Sequence, residues 1–202
     1  MTEHETPAPR RLDARSLRGL AHPLRMQLLD ALRLHGPATA SQLAERLGES
    51  SGATSYHLRQ LADHGFVEDA PGRGKGRERW WQAVAQGLAY DSADFEDASP
   101  EVRGLTEVFL QEGAARHARE LATWIGSRDR LSTAWSRATD MSDMTLRLTP
   151  EIALELIEQM HELIDGYRNR ATDADAPEAR QVRVHTHLFP IDTHRSAAAE
   201  PT

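Results

Sequence analysis

The chain has 202 residues, enough for one or two domains, and its 39% apolar content can supply a buried core. It contains no cysteine, which excludes disulfide bonds, thiolate metal sites and thiol redox sensors. No apolar run approaches the roughly 18 residues of a membrane span, and residues 1–9 lack the layout of a signal peptide. The sequence therefore predicts a cytoplasmic protein that has no membrane partner.

The net charge of -7 is unevenly distributed along the chain. Residues 10–82 carry 12 basic and 8 acidic side chains, whereas residues 83–202 carry 12 basic and 21 acidic ones. A basic half joined to an acidic half is typical of a module that faces phosphate and is carried by a body that does not. This asymmetry points to nucleic acid as a partner of the first half.

The first helical pattern follows a predicted disordered tail at residues 1–9. Its apolar face is a row of leucines three or four residues apart, namely Leu17, Leu20, Leu24, Leu28 and Leu32. Proline is well placed in the first turn of a helix, so Pro23 predicts a short lead-in to Ala21 and a main helix over 23–35. Gly36 and Pro37 end this helix.

A second helix is predicted from its capping residues. Thr39 and Gln42 have the spacing of a capping box, and Gly48 is suited to close the helix. The residues between them form a narrow apolar stripe of Ala40, Leu43, Ala44 and Leu47. Only two or three residues then remain before the next helical segment.

The third helix is predicted over Ser51–Gly65, with Ser51 as N-cap and Gly65 as a left-handed C-cap. Leu58 and Leu61 supply its buried side. Hydroxyls and a guanidinium that can bond base edges and phosphates are expected to face outward, on Ser51, Thr54, Ser55, Tyr56 and Arg59. Two short helices joined this tightly indicate a helix-turn-helix, although the same spacing also fits a plain helical hairpin.

A glycine-rich hairpin is predicted directly after these helices. Phe66 and Val67 begin a strand, Pro71–Gly76 forms the turn, and Arg77–Val84 returns as a second strand. Its tip carries three basic residues that we expect to contact DNA, namely Arg73, Lys75 and Arg77. In isolation such a loop is more often a solvated turn, but its position after a helix-turn-helix favours the DNA-binding interpretation.

Four segments between about residues 12 and 84 carry a family resemblance, in the order LAHPLRMQLLDAL, ATASQLAERLG, TSYHLRQLADHGFVE and GRGKGRERWW. Together they resemble the winged-helix domain of ArsR-type bacterial transcription regulators. The resemblance implies that Ser55 and Tyr56 enter the major groove, with Ser51 and Arg59 beside them. His57 belongs to the same motif, and we expect it to be half-buried, packing or contacting phosphate.

The resemblance does not extend to the metal sites of many ArsR-type proteins. Their cysteine ligands are absent, and His117 is the one histidine on the later helix, without an aspartate two residues before it. Elsewhere, His185 and His187 share a face of a predicted strand near His194 and could coordinate a divalent cation. Exposed histidine pairs are common and Arg183 shares that face, so no metal and no other cofactor is predicted.

The second half is predicted to be mostly helical. Residues 85–98 form a polar connector, with Tyr90 and Phe95 available for packing, and Ser99 and Pro100 begin a long helix. The apolar positions of this helix are Val102, Leu105, Phe109, Leu121, Trp124 and Ile125. The segment 132–140 is expected to extend or follow it.

Two short strands and one further helix complete the prediction. Apolar and polar residues alternate over 144–148 and over 182–188, which favours half-buried strands. Between them, Thr149 and Pro150 cap a helix whose seam has heptad-like spacing, through Ala153, Leu156, Met160, Leu163 and Tyr167. Core packing and pairing with a second subunit both explain this seam.

The predicted fold class is α+β, mainly α, with an N-terminal winged helix-turn-helix domain and a helical C-terminal domain that has two short strands. The domains are a tail (1–9), a DNA-binding domain (10–84), a connector (85–98), a dimerisation or effector domain (99–190) and a second tail (191–202). Regulators that resemble this chain often carry such an extension for dimerisation or effector sensing.

The sequence predicts a homodimeric transcription regulator that binds specific sites in double-stranded DNA. A repressor is favoured over an activator. A small-molecule effector bound by the C-terminal domain is a further hypothesis. The alternative is a winged-helix module for protein interaction or assembly that does not bind DNA specifically. No catalytic motif is present, so an enzyme is not predicted.

Overall fold

The computed structural model describes residues 10–70, 79–84, 87–168, 176 and 178–191. It divides into two compact units, the first ending at Arg130 and the second beginning at Leu131. Helices dominate and small sheets accompany them, so the predicted class, α+β and mainly α, is confirmed. No helix within the described ranges is both long and apolar enough to cross a membrane.

The described part of the first unit contains five α-helices. They are α1 (Ala14–Leu20), α2 (Pro23–His35), α3 (Ala40–Leu47), α4 (Ser51–Asp63) and α5 (Pro100–Ser127). Their order and bounds agree with the helices that leucine spacing, proline and capping residues predict. A short 3-10 turn over Ser92–Phe95 precedes α5, and another over Arg128–Arg130 follows it.

Polar side chains begin these helices. Thr39 and Gln42 form the predicted capping box of α3, each side chain bonding the backbone N–H of the other residue. The prediction that Ser51 caps α4 is wrong by one residue, because the Ser50 hydroxyl accepts the Ala53 N–H at 3.2 Å. With two consecutive serines either can cap, and here the first one has the extended backbone of an N-cap.

Two small sheets accompany the helices among the residues that the structure describes. β2 (Ala38–Thr39), β4 (Trp80–Ala83) and β3 (Val67–Asp69) form an antiparallel sheet in that spatial order. The β3–β4 pair is the predicted hairpin, with Val67 opposite Ala83 and Asp69 opposite Trp81. The sequence does not predict β2 or the parallel pair of β1 (Arg10–Arg11) with β5 (Leu88–Ala89), because strands of two residues show no periodicity.

The core of the first unit is a leucine cluster closed by aromatic residues. Its fully buried side chains are Leu12, Leu17, Leu20, Leu28, Leu29, Leu43, Leu58, Leu61 and Phe66. Phe95 and Val102 belong to the same cluster, and Tyr90 stacks on Phe95 with ring centroids 5.3 Å apart. The segment predicted as a connector therefore packs against the winged helix.

The long helix α5 has its buried side chains near its start. Val102 and Thr106 are buried near its start, and Arg116 pairs with Asp30 of α2 at 3.1 Å. Further on, Leu121 and Ile125 are 37% and 43% exposed. An apolar stripe thus emerges on the last turns of α5.

The second unit contains α6 (Thr133–Arg137) and α7 (Pro150–Arg168). Both begin where the sequence predicts, with the hydroxyls of Ser132 and Thr149 accepting N–H groups of the first turn. The seam of α7 is open at its end, since Leu163 is 63% and Tyr167 62% exposed.

The predicted strands over 144–148 and 182–188 are wrong. Both segments lie in the described part of the chain, carry neither helix nor strand, and are largely exposed. Alternating residues suit a strand, but a strand forms only where a neighbouring segment completes its backbone hydrogen bonds. Neither segment pairs with another among the described residues.

Candidate nucleic-acid interface

Helix α4 has a buried leucine side and a polar outer side. Leu58 and Leu61 are fully buried. On the opposite side, Ser51, Tyr56 and Arg59 are exposed, with Tyr56 at 55%. Together with half-buried Ser55 they present hydroxyl groups and one guanidinium, which can bond base edges and phosphates.

The predicted outward orientation of Thr54 is wrong. Thr54 is fully buried, and its hydroxyl has no hydrogen-bond partner among the described residues. Thr54 precedes Leu58 by four residues and Leu61 by seven, which places all three on one face of the helix. The sequence contained this signal, but a threonine fits either face. The four residues Ser51, Ser55, Tyr56 and Arg59 remain as candidates on α4.

Helices α3 and α4 are joined by a turn of three residues, which fixes their arrangement. Gly48 ends α3 with a φ of 70°, a left-handed conformation that glycine adopts without a steric penalty. Glu49 and Ser50 follow, and α4 begins at Ser51. α3 then packs on the buried side of α4 through fully buried Leu43. This is the geometry of a helix-turn-helix.

The hairpin β3–β4 stands next to these helices. Arg79 forms an ion pair with Asp69 across the strands, and its guanidinium lies 3.9 Å from the centre of the Trp81 ring. Arg79 is therefore engaged within the hairpin. The predicted DNA contacts Arg73, Lys75 and Arg77 lie outside the described residues.

A cluster of four polar side chains lies where the start of α2 meets α4. The rings of His22 and His57 are 4.4 Å apart, and Tyr56 packs edge-on against His57 at 5.1 Å. Burial, followed by the nearby positive charge of Arg25, lowers the pKa of His22. The pKa of His57 is also lowered, chiefly by burial and then by His22 and Arg25. Both imidazoles are consequently neutral at pH 7.

Only part of this cluster is predicted from the sequence. His57 is half-buried as predicted, and Tyr56 is exposed as predicted. His22 and Arg25 were missed, since the HPLR segment appeared only as part of a helix start. The HPLR segment lies within the family resemblance. Its polar residues His22 and Arg25 were the sequence feature that could have indicated the cluster.

The described residues include no cluster of three or more histidine, aspartate or glutamate side chains arranged to hold a metal ion. His185 and His187 have ring centroids 6.5 Å apart. His194, the third residue of the hypothetical site, lies outside the described residues.

Residues 20–70 match a family model described as a helix-turn-helix domain. The matched range covers α2, β2, α3, α4 and β3, the elements whose geometry is given above. The chain carries a helix-turn-helix domain. The corresponding part of the sequence prediction is confirmed. A comparison with curated protein sequences finds no match.

The solved structures that are similar to parts of this chain include the following three. Reduced HlyU from Vibrio cholerae is 23% identical, covering 48% of this chain and 83% of its own, with a TM-score of 0.30. The winged helix-turn-helix domain of Mb0332 from Mycobacterium bovis, a possible ArsR-family regulator, is 25% identical, covering 53% and 82%, with a TM-score of 0.33. ZitR from Lactococcus lactis is 16% identical, covering 73% and 85%, with a TM-score of 0.31. Superpositions this loose support no argument about this chain.

Proposed function

We propose that this protein is an ArsR-type transcription repressor that binds a partly palindromic duplex site as a homodimer. DNA binding is assigned to residues 10–84, with α4 in the major groove. The observation that carries the proposal is the exposure of Ser51, Tyr56 and Arg59 on a helix whose other side is anchored by buried leucines. Occupation of a promoter by the bound dimer suffices to repress it.

The charge distribution supports this orientation on DNA. Residues 10–82 carry the basic excess, and the hairpin tip, with Arg73, Lys75 and Arg77, is assigned to phosphate contacts. The acidic remainder would be repelled by the same phosphates, so it is placed away from the duplex. Residues 99–190 are then free for pairing and for effector binding.

Loss of base contacts should reduce selectivity more than stability. We expect Ser55→Ala and Tyr56→Ala to lower the preference for a selected binding site over random duplex DNA by about 1–3 kcal/mol per contact. Competition binding with sites selected from genomic fragments measures this preference, and thermal melting checks the fold. Ser136→Ala, an exposed serine in the second unit, is the matched control. Full selectivity in both α4 variants would contradict the assignment.

The salt dependence of DNA binding separates the proposal from its alternative. A DNA-binding regulator binds random duplex DNA with an affinity that falls as salt rises, because released counterions drive the association. A module for protein interaction or assembly has no reason to show this dependence. Absence of salt-dependent binding by the wild-type protein would therefore favour the alternative.

Pairing is proposed to use the exposed apolar residues outside α4. A single winged helix contacts too few base pairs for selective binding, so two copies are needed about one helical turn apart, roughly 34 Å. We expect Leu163→Glu on α7 to give a monomer in sedimentation at micromolar concentration, with Glu162→Lys as the exposed control. If Leu163→Glu remains dimeric, we would assign the interface to Leu121 and Ile125 of α5 instead. A monomeric wild-type protein would contradict the homodimer.

Effector control is proposed for the second unit. Trp135 is half-buried there and donates its indole N–H to the carbonyl oxygen of Glu178 at 3.0 Å. The guanidinium of Arg180 lies 6.0 Å from the same ring. An aromatic ring beside a cation can accept a planar anionic ligand, and a ligand screen by thermal melting would identify one.

A further inference from the structure

Arg25, in the first turn of α2, is a half-buried arginine whose Nε has no hydrogen-bond partner among the described residues. Its Nε is buried, and no described residue offers it a hydrogen bond or a carboxylate. Several other arginines of the first unit are paired with carbonyl or carboxylate oxygens, among them Arg10, Arg11, Arg18, Arg33 and Arg79. A buried N–H that lacks an acceptor is costly, so the Arg25 Nε calls for an acceptor from outside the chain.

The surroundings of Arg25 favour an anion as that acceptor. Burial lowers its pKa, while the nearby hydroxyl of Tyr56 opposes this effect. His22 and His57 are neutral at pH 7, so Arg25 supplies the permanent positive charge of the cluster. Tyr56 is 55% exposed on the outer side of α4, which brings the cluster to the surface proposed to meet DNA.

We propose that Arg25 binds a phosphate of the DNA backbone beside the groove that α4 enters. The Tyr56 hydroxyl donates to the same phosphate, while the Tyr56 ring makes the base contact assigned to it above. This inference rests on the proposed function and adds a contact from α2 that the helix-turn-helix motif alone does not assign. A guanidinium offers a planar pair of N–H donors that match two phosphate oxygens. Such a contact fixes the register of α4 on the duplex but carries no base information.

Salt dependence of binding to a random-sequence duplex tests the contact. Arg25→Gln should weaken binding to selected and random DNA alike and flatten the slope of log affinity against log salt by about 0.9. Arg25→Lys should keep the slope with reduced affinity, since one charge remains but the paired donors are lost. Arg11→Gln removes the same charge from an arginine already engaged by Asp91 and Asp94, and should leave the slope unchanged.

Tyr56→Phe tests whether the two donors share one phosphate. If they do, the double variant with Arg25→Gln should lose less affinity for random DNA than the two single losses added together. Additive losses would assign the hydroxyl to a different atom of the DNA and would overturn the shared contact.

Two results decide the role of Arg25 itself. If folded Arg25→Gln protein keeps the wild-type slope of log affinity against log salt, the phosphate contact is wrong and Arg25 has a packing role. If the wild-type protein does not bind DNA, the proposed function is wrong instead. Should the glutamine variant melt too early, arginine-selective dicarbonyl labelling of the wild type gives the answer. Random duplex DNA should then protect Arg25 and leave Arg11 as reactive as before, and an unprotected Arg25 would refute the contact.

Discussion

Leu61→Ala is expected to lower the free energy of unfolding by about 2–5 kcal/mol, because it removes a fully buried side chain and leaves a cavity. Leu61 lies on the inner side of α4, which packs against α1, α2 and α3. The loss should therefore destabilise the whole first unit rather than one helix end. Urea denaturation measures it, with an unchanged m-value as the sign that only stability has changed.

Arg59→Ala is the matched control for this measurement. It lies two residues earlier on the same helix but on the exposed side, so we expect a change within about 0.5 kcal/mol. A Leu61→Ala loss as small as that of the control would mean that α4 does not anchor the core as the structure indicates.

Gly19→Ala should also destabilise the protein, by about 1–3 kcal/mol, although alanine is the better helix former. A Cβ at residue 19 would stand 2.3 Å from Cγ and 2.6 Å from Cβ of His64, which are fixed parts of that side chain rather than its flexible end. The α1–α4 packing would have to open. Thermal or urea unfolding measures the loss.

Two variants isolate the steric cause. Gly104→Ala places the same methyl group on α5, where nothing lies within 4 Å, and should stabilise the protein by up to about 1 kcal/mol. Adding His64→Ala to Gly19→Ala should recover stability beyond the sum of the two single changes. Equal effects at residues 19 and 104 would exclude the close contact.

The helices were predictable because each carries local signals. Pro23 predicted the start of α2, and the capping box of Thr39 and Gln42 predicted the start of α3. The spacing of the leucines predicted the buried faces. The strands were less predictable, because their formation depends on partners distant in sequence. β2 is too short to have a period, whereas residues 144–148 have the period of a strand and no partner among the described residues.

The candidate site was predictable where residue type determines orientation. Leucines on α4 could only face inward, and Arg59 could only face outward, as the structure has them. Threonine is compatible with either side of a helix. The spacing of four residues between Thr54 and Leu58 indicated the buried side. The lack of a hydrogen-bond partner for the Arg25 Nε among the described residues could not be predicted, because it depends on every element packed around that side chain.

The short clasp between β1 and β5 determines how little of the chain can stand alone. It joins residues 10–12 to residues 87–89 through backbone hydrogen bonds, and beyond it Phe95 and Val102 cover the leucine cluster. A fragment trimmed to the matched range 20–70 would leave out Leu12 and Leu17, both fully buried, as well as those two residues. Their removal would expose apolar surface to water, at roughly 25 cal/mol for each Å². A fragment that folds by itself, for fusion to another protein, must consequently be much longer than the matched range 20–70.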